Sequence, residues 1–265
     1  MLLHCVYLNA SLSLHKSLVI KVPVFRFTFT SLTARGCGYT GAVPNFNQDG
    51  ETKKVKYRQL GKNGVKVSEV SLGSWLTFGG ATEDETARTC IEKAYDLGIN
   101  FFDTANVYAR GKSEEVVGRV LANYARDSFV LATKVYFPMG DGPNDKGLSR
   151  KHIMEQCHLS LKRLGTDYVD LYQAHRYDPT VPLEETLMAF SDLVQQGKVL
   201  YWGVSQWSAG QIAHATDIIR MSGGRLYPVA SNQPYYNALG RDLEKDVMPL
   251  CGRCLLYTSP SPRDS

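Results

Sequence analysis

Six times between Glu69 and Leu250 a short apolar run gives way to a segment with helical periodicity, and most of these runs end on a polar residue. Strict strand–helix alternation with nearly continuous apolar strands constrains a chain to a parallel sheet wrapped by helices. The expected strands are Glu69 to Gly73, Asn100 to Asp103, Phe129 to Lys134, Tyr168 to His175, Val199 to Ser205 and Val229 to Gln233. Asp103, Lys134, His175, Ser205 and Gln233 close five of them and would converge on a closed ring, where an open sheet would send some of them in opposite directions. The expected class is therefore α/β, a (β/α)8 barrel type that is incomplete here, with an N-terminal hairpin plus about six βα units. A doubly wound open sheet is the alternative reading of the same pattern.

Local signals set the helix boundaries. Thr82-x-x-Glu85 reads as a capping box, followed by Ala87, Cys90, Ile91, Ala94 and Leu97 at helical spacing until Gly98. Ser113 is expected to cap the second helix, with Val116, Val117, Val120, Leu121 and Tyr124 on one side. Ser149 opens the third, whose stripe is Ile153, Cys157, Ser160, Leu161 and Leu164 up to Gly165. Pro182 suits the first turn of the fourth, with Leu187, Phe190 and Val194 buried and Gly197 as its stop. Ser208-x-x-Gln211 caps the fifth, and a sixth is expected from Arg241 to Leu250. Before all of these, Tyr57 to Leu60 and Val65 to Val67 form a short hairpin that would plug one end of the barrel.

The two ends of the chain read differently. The first 48 residues carry Lys16, Lys21, Arg26 and Arg35 without an acid, and so account for the whole net charge of +4. That composition fits an organelle transit peptide or translated upstream sequence without a fold of its own. Gly36-x-Gly38-x-x-Gly41 matches a dinucleotide fingerprint, but Pro44 and a polar turn follow where a helix is needed. The last twelve residues, from Cys254 to Ser265, resemble a translated sequencing adapter, so Cys251-x-x-Cys254 is no argument for a redox or zinc site. The expected organisation is an extension over 1–55, the barrel over 56–253 and an artefactual tail over 254–265. With the barrel near neutrality, no nucleic-acid partner is indicated, and no apolar run is long enough for membrane insertion. The six scattered cysteines fit a reduced compartment, the cytoplasm. No metal site is expected.

Candidate chemistry gathers at the strand ends. Asp103, Tyr108, Lys134 and His175 lie at or just past three of them, which is how barrel enzymes assemble a site. Their order and surroundings resemble the aldo-keto reductase superfamily. The resemblance runs from about Tyr57 to Leu250 through Leu72-Gly-Ser-Trp-Leu-Thr-Phe-Gly-Gly80, Gly98-Ile-Asn-Phe-Phe-Asp-Thr-Ala-Asn-Val-Tyr108, Gly111-Lys-Ser-Glu-Glu115, Leu131-Ala-Thr-Lys134, Ser160-Leu-Lys-Arg-Leu-Gly-Thr-Asp-Tyr-Val-Asp-Leu-Tyr172 and Gly197-Lys-Val-Leu-Tyr-Trp-Gly-Val-Ser205. Within the superfamily it looks most like the branch containing potassium-channel β-subunits and their bacterial reductase relatives.

The resemblance implies NADPH-dependent reduction of a small-molecule aldehyde or ketone. Tyr108 would be the general acid; a neighbouring Lys134 ammonium would make the phenol a better donor, and Asp103 would hold that ammonium charged and oriented. His175 would hydrogen-bond the carbonyl oxygen; channel β-subunits tend to carry Asn there, so His175 points toward the enzyme-like members. For the cofactor it implies Ser74, Trp75, Asp103, Ser205, Gln206 and Gln233, with Ser205 and Gln233 on the nicotinamide carboxamide. Gln206 departs from the Asn or Arg that family members place after that serine. A homo-oligomer or a channel subunit is the implied assembly, and an auxiliary channel protein or a fragment without activity is the alternative function. In the family two more βα units follow the sixth, so the chain as written is expected to leave two sheet edges bare.

Overall fold

The computed structural model describes residues 55–75, 78–79, 84–237 and 239–254, together with the backbone of short strands at 4–6, 21–22, 25–26 and 257–258. The strands, in chain order, are β1 His4–Val6, β2 Lys21–Val22, β3 Phe25–Arg26, β4 Tyr57–Gln59, β5 Lys66–Ser68, β6 Val70–Gly73, β7 Phe101–Asp103, β8 Val130–Val135, β9 Val169–Ala174, β10 Val199–Ser205, β11 Ser231–Gln233 and β12 Tyr257–Thr258. The helices are α1 Asp84–Asp96, α2 Lys112–Leu121, α3 Arg150–Leu164, α4 Leu183–Gln195, α5 Ala209–Met221 and α6 Val247–Cys254. One sheet has the order β1-β6-β7-β8-β9-β10-β11-β12, with every recorded pairing parallel.

All six strands expected from the sequence, β6 to β11, are present in order, with helices between them. The sheet stays open as expected, with two short strands as its described edges. β1 lies on β6 and β12 on β11, each by two or three residues. The exposed N–H and C=O groups of an open parallel edge accept an extended segment of almost any sequence, which composition alone does not anticipate. Thr82 lies outside the described residues, and so does the glycine fingerprint at 36–41.

Two apolar layers hold the sheet. Outside, Phe102, Leu131, Tyr172, Trp202 and Val204 pack under helical residues such as Ile91, Val117, Cys157 and Phe190. Inside, Phe101, Val130, Ala132, Leu171 and Ala230 form a second cluster with Leu60 and Val67. The hairpin β4–β5 supplies Leu60 and Val67, so it seals the bottom of the sheet's inner face as the sequence suggests. Burying two such side chains contributes roughly 1.5–3 kcal/mol each. Burial pushes the Cys157 thiol up to about 12, consistent with inert core filling.

The helix ends largely follow their signals. Ser149 accepts the His152 N–H, Ser208 and Gln211 complete a reciprocal capping box, and Gly165 ends α3 in the left-handed region at φ 65°. The second helix is a correction. Its N-cap is Gly111, and Ser113 is buried inside the first turn, where its hydroxyl donates to Ser74 Oγ at 2.7 Å. A buried hydroxyl with a tertiary partner outweighs a cap that solvent could replace. Pro182 is the N-cap of α4 rather than its first residue, and α6 starts at Val247, after a single turn at Asp242–Glu244.

Candidate active site

Alternation along each strand sends Asp103, Lys134 and Gln173 to the same inner face as the sealing cluster, nearer the C-terminal ends. Register brings them together: Asp103 lies opposite Ala132, and Lys134 lies opposite Gln173. Lys134 Nζ donates to Asp103 Oδ2 at 2.5 Å and to the Thr104 carbonyl at 2.8 Å, and it lies 3.4 Å from the Tyr108 hydroxyl. Both charged side chains are almost wholly buried. In so dry a place an ammonium persists only with its countercharge and hydrogen bonds made, and here Asp103 supplies the charge. The remaining direction of the ammonium points at the phenol.

Tyr108 opens a turn with unusual backbone geometry. Ala109 and Arg110 have φ 48° and 52°, and Gly111 follows at 91°. Two successive non-glycine residues in the left-handed region store strain of about 1–3 kcal/mol each, which surrounding contacts must hold. Arg163 packs against Gly111 so closely that a Cβ there would lie 2.6 Å from its Cδ. The sequence places Tyr108 on a loop but gives no sign of the left-handed backbone at Ala109 and Arg110.

His175 follows β9, its N–H donating to the Val135 carbonyl at 3.0 Å. Its ring meets Tyr108 edge to face at a centroid distance of 5.8 Å and Phe137 at 4.9 Å. Burial, with the Lys134 and Arg176 charges behind it, pushes the imidazole down to about 2, so the ring is neutral at any working pH. Its Nδ1 is buried without a hydrogen-bond partner among the described residues. Asp103, Tyr108, Lys134 and His175 thus form one cluster, as their order in the sequence suggests.

The residues expected around a cofactor fall in two groups. Ser205 Oγ donates to the Gln233 carbonyl at 2.9 Å, and the Gln206 N–H reaches the same oxygen at 3.3 Å. This locks the Ser205 hydroxyl as an acceptor toward the inner face, which suits the amino group of a carboxamide. Gln206 has φ 59°, a conformation that Asn tolerates better than Gln, which gives the departure at this position a physical cost. An open cleft of about 480 Å³ borders Gln206, between the loops that follow β10 and β11, with Trp207, Tyr235 and Lys245 among its walls. On the other side, Ser74 donates its N–H to the Asp103 carbonyl, and Trp75 stands at the rim, 46% exposed. A neutral imidazole with a nitrogen unpartnered among the described residues and a fixed hydroxyl acceptor thus stand at the C-terminal ends of the adjacent strands β9 and β10.

A parallel βα sheet with a buried carboxylate–ammonium pair, a phenol and a neutral imidazole at its C-terminal rim defines a (β/α)8-type protein, incomplete here, with a polar site at that rim. The model of the Aldo/keto reductase family matches residues 69–253, and the chain belongs to that family. It is 50% identical over 205 residues to a putative voltage-gated potassium channel subunit beta of Schizosaccharomyces pombe, covering 76% of this chain and 59% of that protein. A probable subunit of the same name from Arabidopsis thaliana is 43% identical over 202 residues, 74% of this chain and 60% of the relative. The chain thus spans about three fifths of the length of these curated relatives. Among solved structures, a thermostable aldo-keto reductase in complex with the inhibitor epalrestat is similar with a TM-score of 0.68 at 31% identity, covering 77% of this chain and 71% of that one.

Proposed function

We propose that the protein reduces aldehydes or ketones to alcohols, with NADPH as hydride donor and Tyr108 as general acid. The observation that carries this reading is the position of Lys134 Nζ, 2.5 Å from the Asp103 carboxylate and 3.4 Å from the Tyr108 hydroxyl. When bound, NADPH supplies the hydride that the carbonyl carbon accepts. Tyr108 gives its hydroxyl proton to the carbonyl oxygen, and the Lys134 ammonium stabilises the phenolate left behind. Asp103 keeps that ammonium charged and aimed. His175, neutral, hydrogen-bonds the carbonyl oxygen and fixes the substrate's orientation. Ser205 and Gln233 would hold the carboxamide, with Ser74, Trp75, Asp103 and Gln206 around them.

The same proposal takes residues 56–253 as the reductase unit, which the extent of the family match supports, and leaves 1–55 and 254–265 outside it. It places the protein in the cytoplasm; no described helix is long and apolar enough to cross a membrane. A homo-oligomer fits as well.

The test is Tyr108→Phe, assayed by NADPH consumption over a panel of aldehydes. Loss of the acid should cost about two to four orders of magnitude in rate with cofactor affinity nearly unchanged. Near-normal turnover by the variant would refute the assignment. The names of the curated relatives favour a second reading, a cofactor-sensing auxiliary subunit of a channel. NADPH binding by the parent protein without turnover of any aldehyde would select it.

A further inference from the structure

We infer that Gln173 is a positioning residue of this site, holding the Asp103 carboxylate in the one orientation that leaves Lys134 aimed at Tyr108. The inference rests on the reductase reading above but concerns a residue outside the four that define it.

An ionised carboxylate only accepts hydrogen bonds, and the Asp103 side chain has no exposure to water. Its Oδ2 receives Lys134 Nζ. Its Oδ1 receives Gln173 Nε2 at 3.3 Å, from a side chain that is itself 1% exposed. The orientation of the amide is fixed by chemistry, because only the NH₂ end can face a carboxylate. Gln173 reaches this place through the sheet: it lies directly opposite Lys134 in the β8–β9 ladder and shares its face. Asp103 is therefore gripped from two neighbouring strands, by a charged donor on β8 and a neutral one on β9.

The neutrality of the second donor matters. A cation at 173 would compete with Lys134 for the carboxylate, and an anion would repel it. An apolar side chain would leave Oδ1 without a partner in a dry interior. The carboxylate then does best by turning both oxygens toward the ammonium. That rotation draws Nζ toward Asp103 and away from the phenol, whose ionised form loses part of its stabilisation. The expected signature is an upward displacement of the Tyr108 titration, with little change in how the cofactor binds.

Gln173→Met keeps the volume and removes the donor; Gln173→Asn keeps the amide but shortens it out of reach. With aldehyde substrate, each variant should lose about tenfold to a hundredfold in kcat, keep the KM for NADPH within about twofold, and show a pH–rate midpoint moved upward. A second readout needs no turnover. The ultraviolet difference titration of the protein against its Tyr108→Phe variant isolates that phenol, and its midpoint should move upward in both Gln173 variants. A parent protein that turns over no aldehyde while the phenol midpoint still moves would sink the reductase reading and leave the positioning role standing. If Gln173→Met fails to fold, the Asn variant carries the test. A folded variant with an unmoved or lowered midpoint would overturn the inference.

Discussion

Glu114, wholly buried on α2, accepts the hydroxyl proton of Thr133 on β8 at 2.5 Å, one residue before Lys134. Its other oxygen accepts Arg163 Nε from α3 at 2.6 Å. The strand that delivers the lysine is thus tied to two helices through one carboxylate. Arg163→Met would leave that carboxylate buried and uncompensated. The expected loss is about 3–5 kcal/mol of folding stability, measured by urea unfolding. Adding Glu114→Gln should recover part of it, because the stranded charge is then gone; a double variant as unstable as the sum of the two single ones would show that the groups are not coupled.

Lys134→Met is expected to cost rate and to move the pH–rate profile toward tyrosine's own range near ~10, since both the phenolate's countercharge and the partner of Asp103 disappear together. Cofactor affinity should change little. An unshifted profile in a folded variant would reduce Lys134 to a structural role.

His175 makes stability depend on pH in a stated direction. Its folded-state value is pushed from 6.5 to about 2 by burial, then by Lys134 and Arg176. The unfolded chain therefore binds an extra proton between those values. The neutral ring's contribution is complete above 6.5 and is lost as the pH falls toward 2, by at most about 1.4 kcal/mol per pH unit. The difference in unfolding free energy between the parent and His175→Asn, followed from pH 8 down to 5, should narrow on the acid side. A constant difference would mean that the ring titrates normally in the fold.

Gly118→Ala sets two effects against each other. The helix gains about 1 kcal/mol in propensity. The new Cβ, however, would lie 2.3 Å from the Leu164 carbonyl, which is backbone of α3 and cannot rotate away. Overpacking of this kind costs about 1–3 kcal/mol, so a net loss is expected in a thermal or urea melt.

The sequence showed most clearly what local chemistry decides. Strand ends at Asp103 and Ser205, caps at Ser149 and Ser208 and the stop at Gly165 each rest on a few neighbouring residues, and the structure has them at those places, while β8 runs one residue past Lys134 and β9 stops one residue before His175. What it hid depends on distant partners. Ser113 looks like a cap until Ser74, 39 residues earlier, is seen to accept its proton. Glu114 looks like a surface acid of a helix's first turn, yet Thr133 and Arg163 make it a buried junction. Gln173 sits inside an apolar run and gains meaning only from its register against Lys134. Asp242 to Glu244 carries helical spacing, but it forms a separate turn before α6.

The strained turn behind Tyr108 gives the molecule a weak point in time as well as in space. Ala109 and Arg110 keep their left-handed backbone next to Gly111, on which Arg163 is pressed and clasped by Glu114. Warming loosens such contacts before it melts a buried ladder, because local openings cost less than global ones. The phenol should therefore drift from its lysine at temperatures where far-ultraviolet dichroism still reads an intact sheet, and heat would silence the site before it unfolds the chain.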